Sequence, residues 1–198
     1  MKGMPRKKED VFSVTGKIVT QLSKILTTSS GKAILANLRN SIGRPLSETL
    51  DVWKIMFENL PESFLGTHGK MTSEEQAILT SLQLFALHQQ GNSESVSMQG
   101  DEATRKNMGD SLSFLRIGEN TLSTDRRFNA MITSSSYDEL VHHLRQMVKL
   151  LKSRTSAKIN YALLAQDLYW YLRGYEENMR LGWARDYYRY KGEEKNDK

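Results

Sequence analysis

Proline ends early in this chain. Its three prolines are Pro5, Pro45 and Pro61, and the roughly 140 residues that follow lack the strongest helix breaker. That freedom favours helices, and the apolar spacing agrees. Val11, Val14, Ile18, Leu22 and Ile25 step by three and four, giving one apolar face. Ala33, Ile34, Leu35 and Leu38 follow, with Ser30 placed as an N-cap. Gly43-Arg44-Pro45 breaks the chain, and Val52, Trp53, Met56, Phe57 and Leu60 form the next helical face. Ser73 and Gln76 have capping-box spacing ahead of Ile78, Leu82, Phe85 and Ala86, in a helix that stops at Gly91. From Gly91 to Gly100 the chain is rich in Ser, Asn and Gly, the composition of an exposed loop.

Beyond that loop, Met108, Leu112 and Leu115 predict a short helix stopped by Gly118. Phe128, Met131 and Ile132 predict another, opening near Ser123 or Thr124. Ser136 and Glu139 repeat the capping-box spacing and start a helix from about Tyr137 to Ser153. Its stripe is Leu140, Leu144, Met147, Val148 and Leu151. Asn160 caps a long final helix carrying Tyr161, Leu164, Leu168, Leu172, Tyr175, Met179 and Trp183. No strand pattern or internal repeat is present. The expected fold is all-α, a compact bundle of about eight helices in two packed subdomains. These span residues 1–90 and 105–191, with an exposed loop over 91–104 and a frayed tail over 192–198.

With 198 residues the chain is long enough to bury a core without staples. It has no cysteine, which removes disulfides, zinc knuckles and thiol nucleophiles together and suits a reducing compartment. No stretch approaches the ~18–20 apolar residues needed to cross a bilayer, and the basic start leads into an amphipathic segment. A cytoplasmic protein with no membrane partner is expected.

The net charge is +5 and the pI about 9.3, a modest excess whose placement matters more than its size. No acid occurs between Glu139 and Asp167, where Arg145, Lys149, Lys152, Arg154 and Lys158 lie. His142, Arg145, Lys149 and Lys152 fall at i, i+3, i+7 and i+10, away from most of the apolar stripe. A helix with one face buried and a row of cations on the other suits phosphate tracking. A solvated face whose cations balance the helix dipole fits the same residues. Arg105, Lys106, Arg116, Arg126 and Arg127 add to the first reading: residues 105–158 hold ten Lys and Arg against five Asp and Glu. The last helix interleaves Tyr169, Trp170, Tyr171, Tyr175, Trp183, Tyr187, Tyr188 and Tyr190 with arginines. Such rings stack on unpaired bases or fill a core or subunit interface.

Catalytic constellations are missing. The histidines are His68, His88, His142 and His143, with no His-x-x-x-His pair and no phosphate loop or nucleophile elbow. Glu74-Glu75, Asp138-Glu139 and Glu176-Glu177 read as helix-start charges. Neither catalytic activity nor a cofactor is expected. A helical protein-interaction adaptor is the competing class. A helix-turn-helix regulator lacks its short turn between two helices.

From Gly109 to Tyr190 the chain resembles the CasB family, the small subunit of the type I-E CRISPR surveillance complex Cascade. Gly109-Asp110-Ser111-Leu112 and Asp125-Arg126-Arg127-Phe128 are similar to that family's Gly-x-Ala/Ser-Leu and acidic-Arg-Arg-Phe elements. Tyr137-Asp138-Glu139-Leu140, His143-Leu144-Arg145 and Leu150-Leu151-Lys152 follow in order. Ile159-Asn160-Tyr161, Asp167-Leu168 and Trp183-Ala184-Arg185-Asp186-Tyr187-Tyr188 complete the series. Asp110 departs from the basic residue many members carry there. The resemblance implies a helical, non-catalytic subunit bound as a like pair within a complex of other Cascade subunits and guide RNA. It implies R-loop stabilisation through target DNA and displaced single-stranded DNA. The expected contacts are Arg116, Arg126, Arg127, Arg145, Lys149, Lys152 and Arg154.

Overall fold

A computed structural model describes residues 10–67, 69–98, 106–117 and 121–189. Among them are α1 (Val11–Lys24), α2 (Ser29–Asn40), α3 (Leu50–Phe57), α4 (Ser73–Gln89), α5 (Met108–Ser113), α6 (Leu122–Ile132), α7 (Tyr137–Arg154), α8 (Tyr161–Leu172) and α9 (Glu176–Tyr188). The only β pairing among the described residues is one parallel bridge, Ser97 to Ile159. His68, Arg105, the stop at Gly118, Tyr190 and the tail 192–198 lie outside the described residues.

The centre of the bundle is α4. Ala77, Ile78, Leu82, Leu84, Phe85 and Ala86 are all buried, because α1, α2, α7 and α8 pack around it. Each large apolar side chain buried this way contributes roughly 1.5–3 kcal/mol before entropy is charged against it. Encirclement also buries the polar residues of α4, and each finds a partner as it must. Ser81 Oγ donates to Tyr161 O at 2.6 Å, Gln83 Nε2 to Ser41 Oγ at 2.8 Å, and Tyr137 OH to Thr80 Oγ1 at 2.9 Å. His88 Nδ1 and Tyr161 OH share a hydrogen bond of 2.8 Å. Burial, with Lys152 nearby, holds that imidazole down to about 4. Helices from either side of the central loop thus share this core, α8 packing on both α1 and α4.

Several local expectations shift. The cap of α2 is Thr28, whose hydroxyl accepts from Gly31 N, rather than Ser30. The box of α4 is Thr72 with Glu75, one residue before the expected pair, and Glu75 also accepts from Gly66 N. Ser136 caps α7 as expected, but Glu139 reaches back to Ser135 instead of closing a box. In the segment after Gly91, Val96 and Ser97 are buried rather than exposed, held by Gln89 Oε1 and the bridge to Ile159.

Two differences bear on function. The expected long last helix is two, broken at Gly174, whose φ of 83° needs no Cβ. Gly174 N donates to Tyr171 O and Tyr175 N to Trp170 O, the paired closure of a Schellman motif. On α3, Val52 and Met56 are buried, while Trp53 and Phe57 stand 39% and 42% exposed beside an exposed Leu50. Their i, i+4 spacing matched a buried face, yet only the neighbouring stripe meets the core.

At the other end, α5 lies directly on α9. A Cβ on Gly109 would sit 2.0 Å from Trp183 O, so only glycine permits the approach. Asn107 Nδ2 donates to Asp186 Oδ2 at 2.6 Å across the same contact, and Ser111 Oγ to Lys158 O at 3.0 Å. Asn107 and Asp110 form a reciprocal capping box on α5. That box is the local use of the acid at position 110.

Candidate nucleic-acid interface

The stripe of α7 is buried as its spacing requires: Leu140, Leu144, Met147, Val148 and Leu151. His142 and Lys149 on the other side are exposed. Arg145 and Lys152 are half-buried because they turn towards the N-terminal helices. The Arg145 guanidinium lies 4.0 Å from where a Cβ on Gly43 would be, in the turn after α2. Its Nε is buried without a hydrogen-bond partner. Lys152 Nζ donates to Leu87 O at 3.3 Å. Burial, and then the Arg39 charge in the last turn of α2, hold the Lys152 ammonium below its ordinary value. Arg44, one residue past Gly43, is exposed. Among the described residues, no carboxylate forms an ion pair with Arg39, Arg145, Lys149 or Lys152.

This seam gathers like charges without neutralising them. Uncompensated cations held close cost stability, and an anion placed among them recovers that cost. A row of phosphates is such an anion.

The other expected contacts divide. Arg126 and Arg127 are exposed on α6, between Thr124 and Phe128, which point into the core. Arg154 is exposed in the last turn of α7, where a cation also suits the helix dipole. Arg116 is already engaged. Its Nε donates to Asp125 Oδ1 at 2.9 Å, and its guanidinium lies 5.4 Å and 5.0 Å from the Tyr187 and Tyr188 ring centres. Tyr187 OH donates to the same Asp125 oxygen at 2.8 Å and its ring stacks on Phe128 at 3.7 Å. Tyr187 is held far above the ordinary tyrosine range, first by burial and then by Asp125.

Sequence reasoning placed the basic surface in the C-terminal half alone and passed over Arg39 and Arg44. Neither belongs to a cation row, and only the packing of α2 against the α4–α7 layer brings them near α7. The Gly-Arg-Pro turn was the one signal available. The aromatic series divides as well: Trp183 and Tyr187 are core, and Trp170, Tyr175 and Tyr188 keep 43%, 53% and 40% exposure. Among the described residues, no group of three His, Asp or Glu side chains can hold a metal, and no helix is long and apolar enough to cross a membrane.

An all-α bundle of this kind is the fold of the CasB proteins. CasB from Thermobifida fusca superposes with a TM-score of 0.71 at 21% identity, over 89% of this chain and 97% of that one. A chain of a CRISPR RNA-guided surveillance complex gives 0.68 at 21%, over 91% and 94%. A Cse2-family CRISPR-associated protein from Thermus thermophilus gives 0.64 at 20%, over 88% and 97%. The family model of the CRISPR-associated protein Cse2 matches residues 34–188, and the chain belongs to that family. No curated protein sequence matches it significantly.

Proposed function

We propose that this protein is a non-catalytic small subunit of a cytoplasmic CRISPR RNA-guided surveillance complex of type I-E. It binds there with other Cascade subunits and guide RNA, as one of a pair. It steadies the R-loop by sequence-independent contacts to the phosphates of target and displaced DNA strands. The observation that carries this reading is the seam of Arg39, Arg145, Lys149 and Lys152, which has no carboxylate partner among the described residues. Family membership and the likeness to a surveillance-complex chain support it. Base pairing reads sequence in such complexes and strand exchange is nearly balanced, so a few phosphate contacts suffice to shift it.

Arg126, Arg127, Arg145, Lys149, Lys152 and Arg154 are the proposed contacts, with Arg39 and Arg44 added from the N-terminal half. Arg116 serves first as the counter-ion of Asp125 and takes a phosphate only by sharing it. The test is single-stranded DNA affinity against salt. Log affinity falls against log salt with a slope of about 0.7 per neutralised phosphate. Reversing Arg126, Arg127, Arg145 and Lys149 together lowers that slope by up to about 3 while the helical circular-dichroism signal stays. Unchanged affinity in the variant rejects the nucleic-acid reading and favours the protein-interaction adaptor, for which the exposed Leu50, Trp53 and Phe57 face of α3 stands ready.

A further inference from the structure

Where α8 turns into α9, a surface cavity of about 420 Å³ is lined by Asp167, Trp170, Tyr175, Asn178 and Met179. The Schellman turn at Gly174 builds it, folding Tyr175 back so that its ring meets Trp170 at 5.3 Å and 89°. The two rings form a corner with two perpendicular walls. Met179 supplies an apolar floor, and Asn178 an exposed amide.

Asp167 is the unusual member. Its Oδ2 accepts from Trp183 Nε1 at 2.6 Å. Among the described residues, nothing donates a hydrogen bond to its other oxygen and no lysine or arginine pairs with it. A half-buried carboxylate without a cation is costly, and burial pushes this one up to about 6. Holding Trp183 needs only a neutral acceptor, so an amide would serve that task without the cost of a charge.

We propose that this cavity is a receptor for an arginine side chain of a partner polypeptide, its guanidinium paired with Asp167 and lying against the Trp170–Tyr175 corner. Charge complementarity selects the occupant. An aromatic face attracts a cation through its quadrupole, and the planar, weakly hydrated guanidinium both stacks and bonds to carboxylate. A phosphate-bearing strand meets a negative charge here, unlike at the seam of Arg39, Arg145 and Lys152. The perpendicular rings already touch each other, which leaves no slot for a base between them. This site is independent of the nucleic-acid reading, and either can fail without the other.

The indole N–H signals of the three tryptophans test it, with full-length protein titrated by acetyl-Gly-Arg-Gly-amide and by the same peptide carrying neutral citrulline. The arginine peptide is expected to shift the Trp170 and Trp183 signals and leave Trp53 in place, and the citrulline peptide to shift none. Asp167→Asn keeps an acceptor for Trp183 and is expected to weaken the arginine peptide at least tenfold. Should that variant not fold, Trp170→Ala on the exposed rim is read instead through Trp183, with the same loss. Equal shifts from both peptides, no shift at Trp170 and Trp183, or undiminished binding to the variants overturns the proposal. Guanosine monophosphate shifting Trp170 where the arginine peptide does not replaces it with a base-stacking site.

Discussion

Arg116 and Lys152 are both half-buried cations of the C-terminal half, and their surroundings are opposite. At the α5–α6–α9 end, Arg116 has a carboxylate at 2.9 Å and two tyrosine rings around it. At the α4–α7 seam, Lys152 has a backbone carbonyl at 3.3 Å and a second cation, Arg39, close enough to depress its ammonium. The first arrangement is complete in itself, and the second leaves its charge unmatched. Whether a basic residue holds the fold or waits for a ligand is decided by its counter-ion, which a count of lysines and arginines does not reveal.

The largest effect breaks the α5–α9 end outright. Gly109→Ala drives a Cβ into Trp183 O at 2.0 Å, and a backbone carbonyl in a packed helix has nowhere to move. The expected loss is about 3 kcal/mol or more, read as a fall in the denaturant midpoint. An unchanged midpoint would show that the two helices separate without cost.

Next comes the interior of the seam, through His88. Its folded-state value of about 4 lies below the ordinary 6.5, so the unfolded chain binds the extra proton between those pH values. Stability from this group is whole above about pH 6.5 and is lost as pH falls towards 4, by up to about 3 kcal/mol. Asp167, raised to about 6 from 3.8, has the opposite sign: its share is present at low pH and lost as pH rises through that window. His88→Gln keeps a hydrogen-bonding group for Tyr161 and removes the titration. Unfolding midpoints from pH 7 to 4 are expected to fall less steeply in the variant, and parallel curves would sink the assignment.

A third substitution turns one region into the other. Asp125→Asn still accepts from Tyr187 but leaves Arg116 without its charge partner. The expected cost is about 1–2 kcal/mol, while single-stranded DNA affinity does not weaken, because a guanidinium has been released. Weaker binding in this variant would mean that Asp125 presents Arg116 to the strand rather than withholding it.

Periodicity predicted nearly every helix, because α1 and α7 bury stripes that recur every three or four residues. It erred where geometry overrode pattern. Trp53 and Phe57 share a helix with Val52 and Met56 but not their stripe, and a lone Gly174 divides what reads as one long segment. Caps moved by one or two residues because Thr28 and Thr72 compete with nearby serines for the same orphan amides. The motif at Gly109 was legible as a resemblance, while its cause, the Trp183 carbonyl, is 74 positions away in the chain. The basic row of α7 was visible because it lies on one helix. Arg39 was not, since the packing of α2 on α4, which brings it near Lys152, leaves no mark in local spacing.

That unseen residue gives the smallest effect and the sharpest comparison. Arg39→Gln removes one seam cation from the N-terminal half. If the residue serves the fold as Arg116 does, stability drops and binding follows only through unfolding. If it belongs to the phosphate seam, two changes partly cancel in stability: a favourable end-of-helix charge is lost, and repulsion with Lys152 is relieved. The net is expected within about 0.5 kcal/mol of zero. The salt slope for single-stranded DNA falls by about 0.7, one phosphate's worth. The Lys152 ammonium returns towards its ordinary value, since Arg39 is one of the two causes holding it down. Its titration, followed by NMR of the lysine side chain, reports the contact in the absence of DNA. A moved Lys152 with an unmoved salt slope would keep the packing and discard the site.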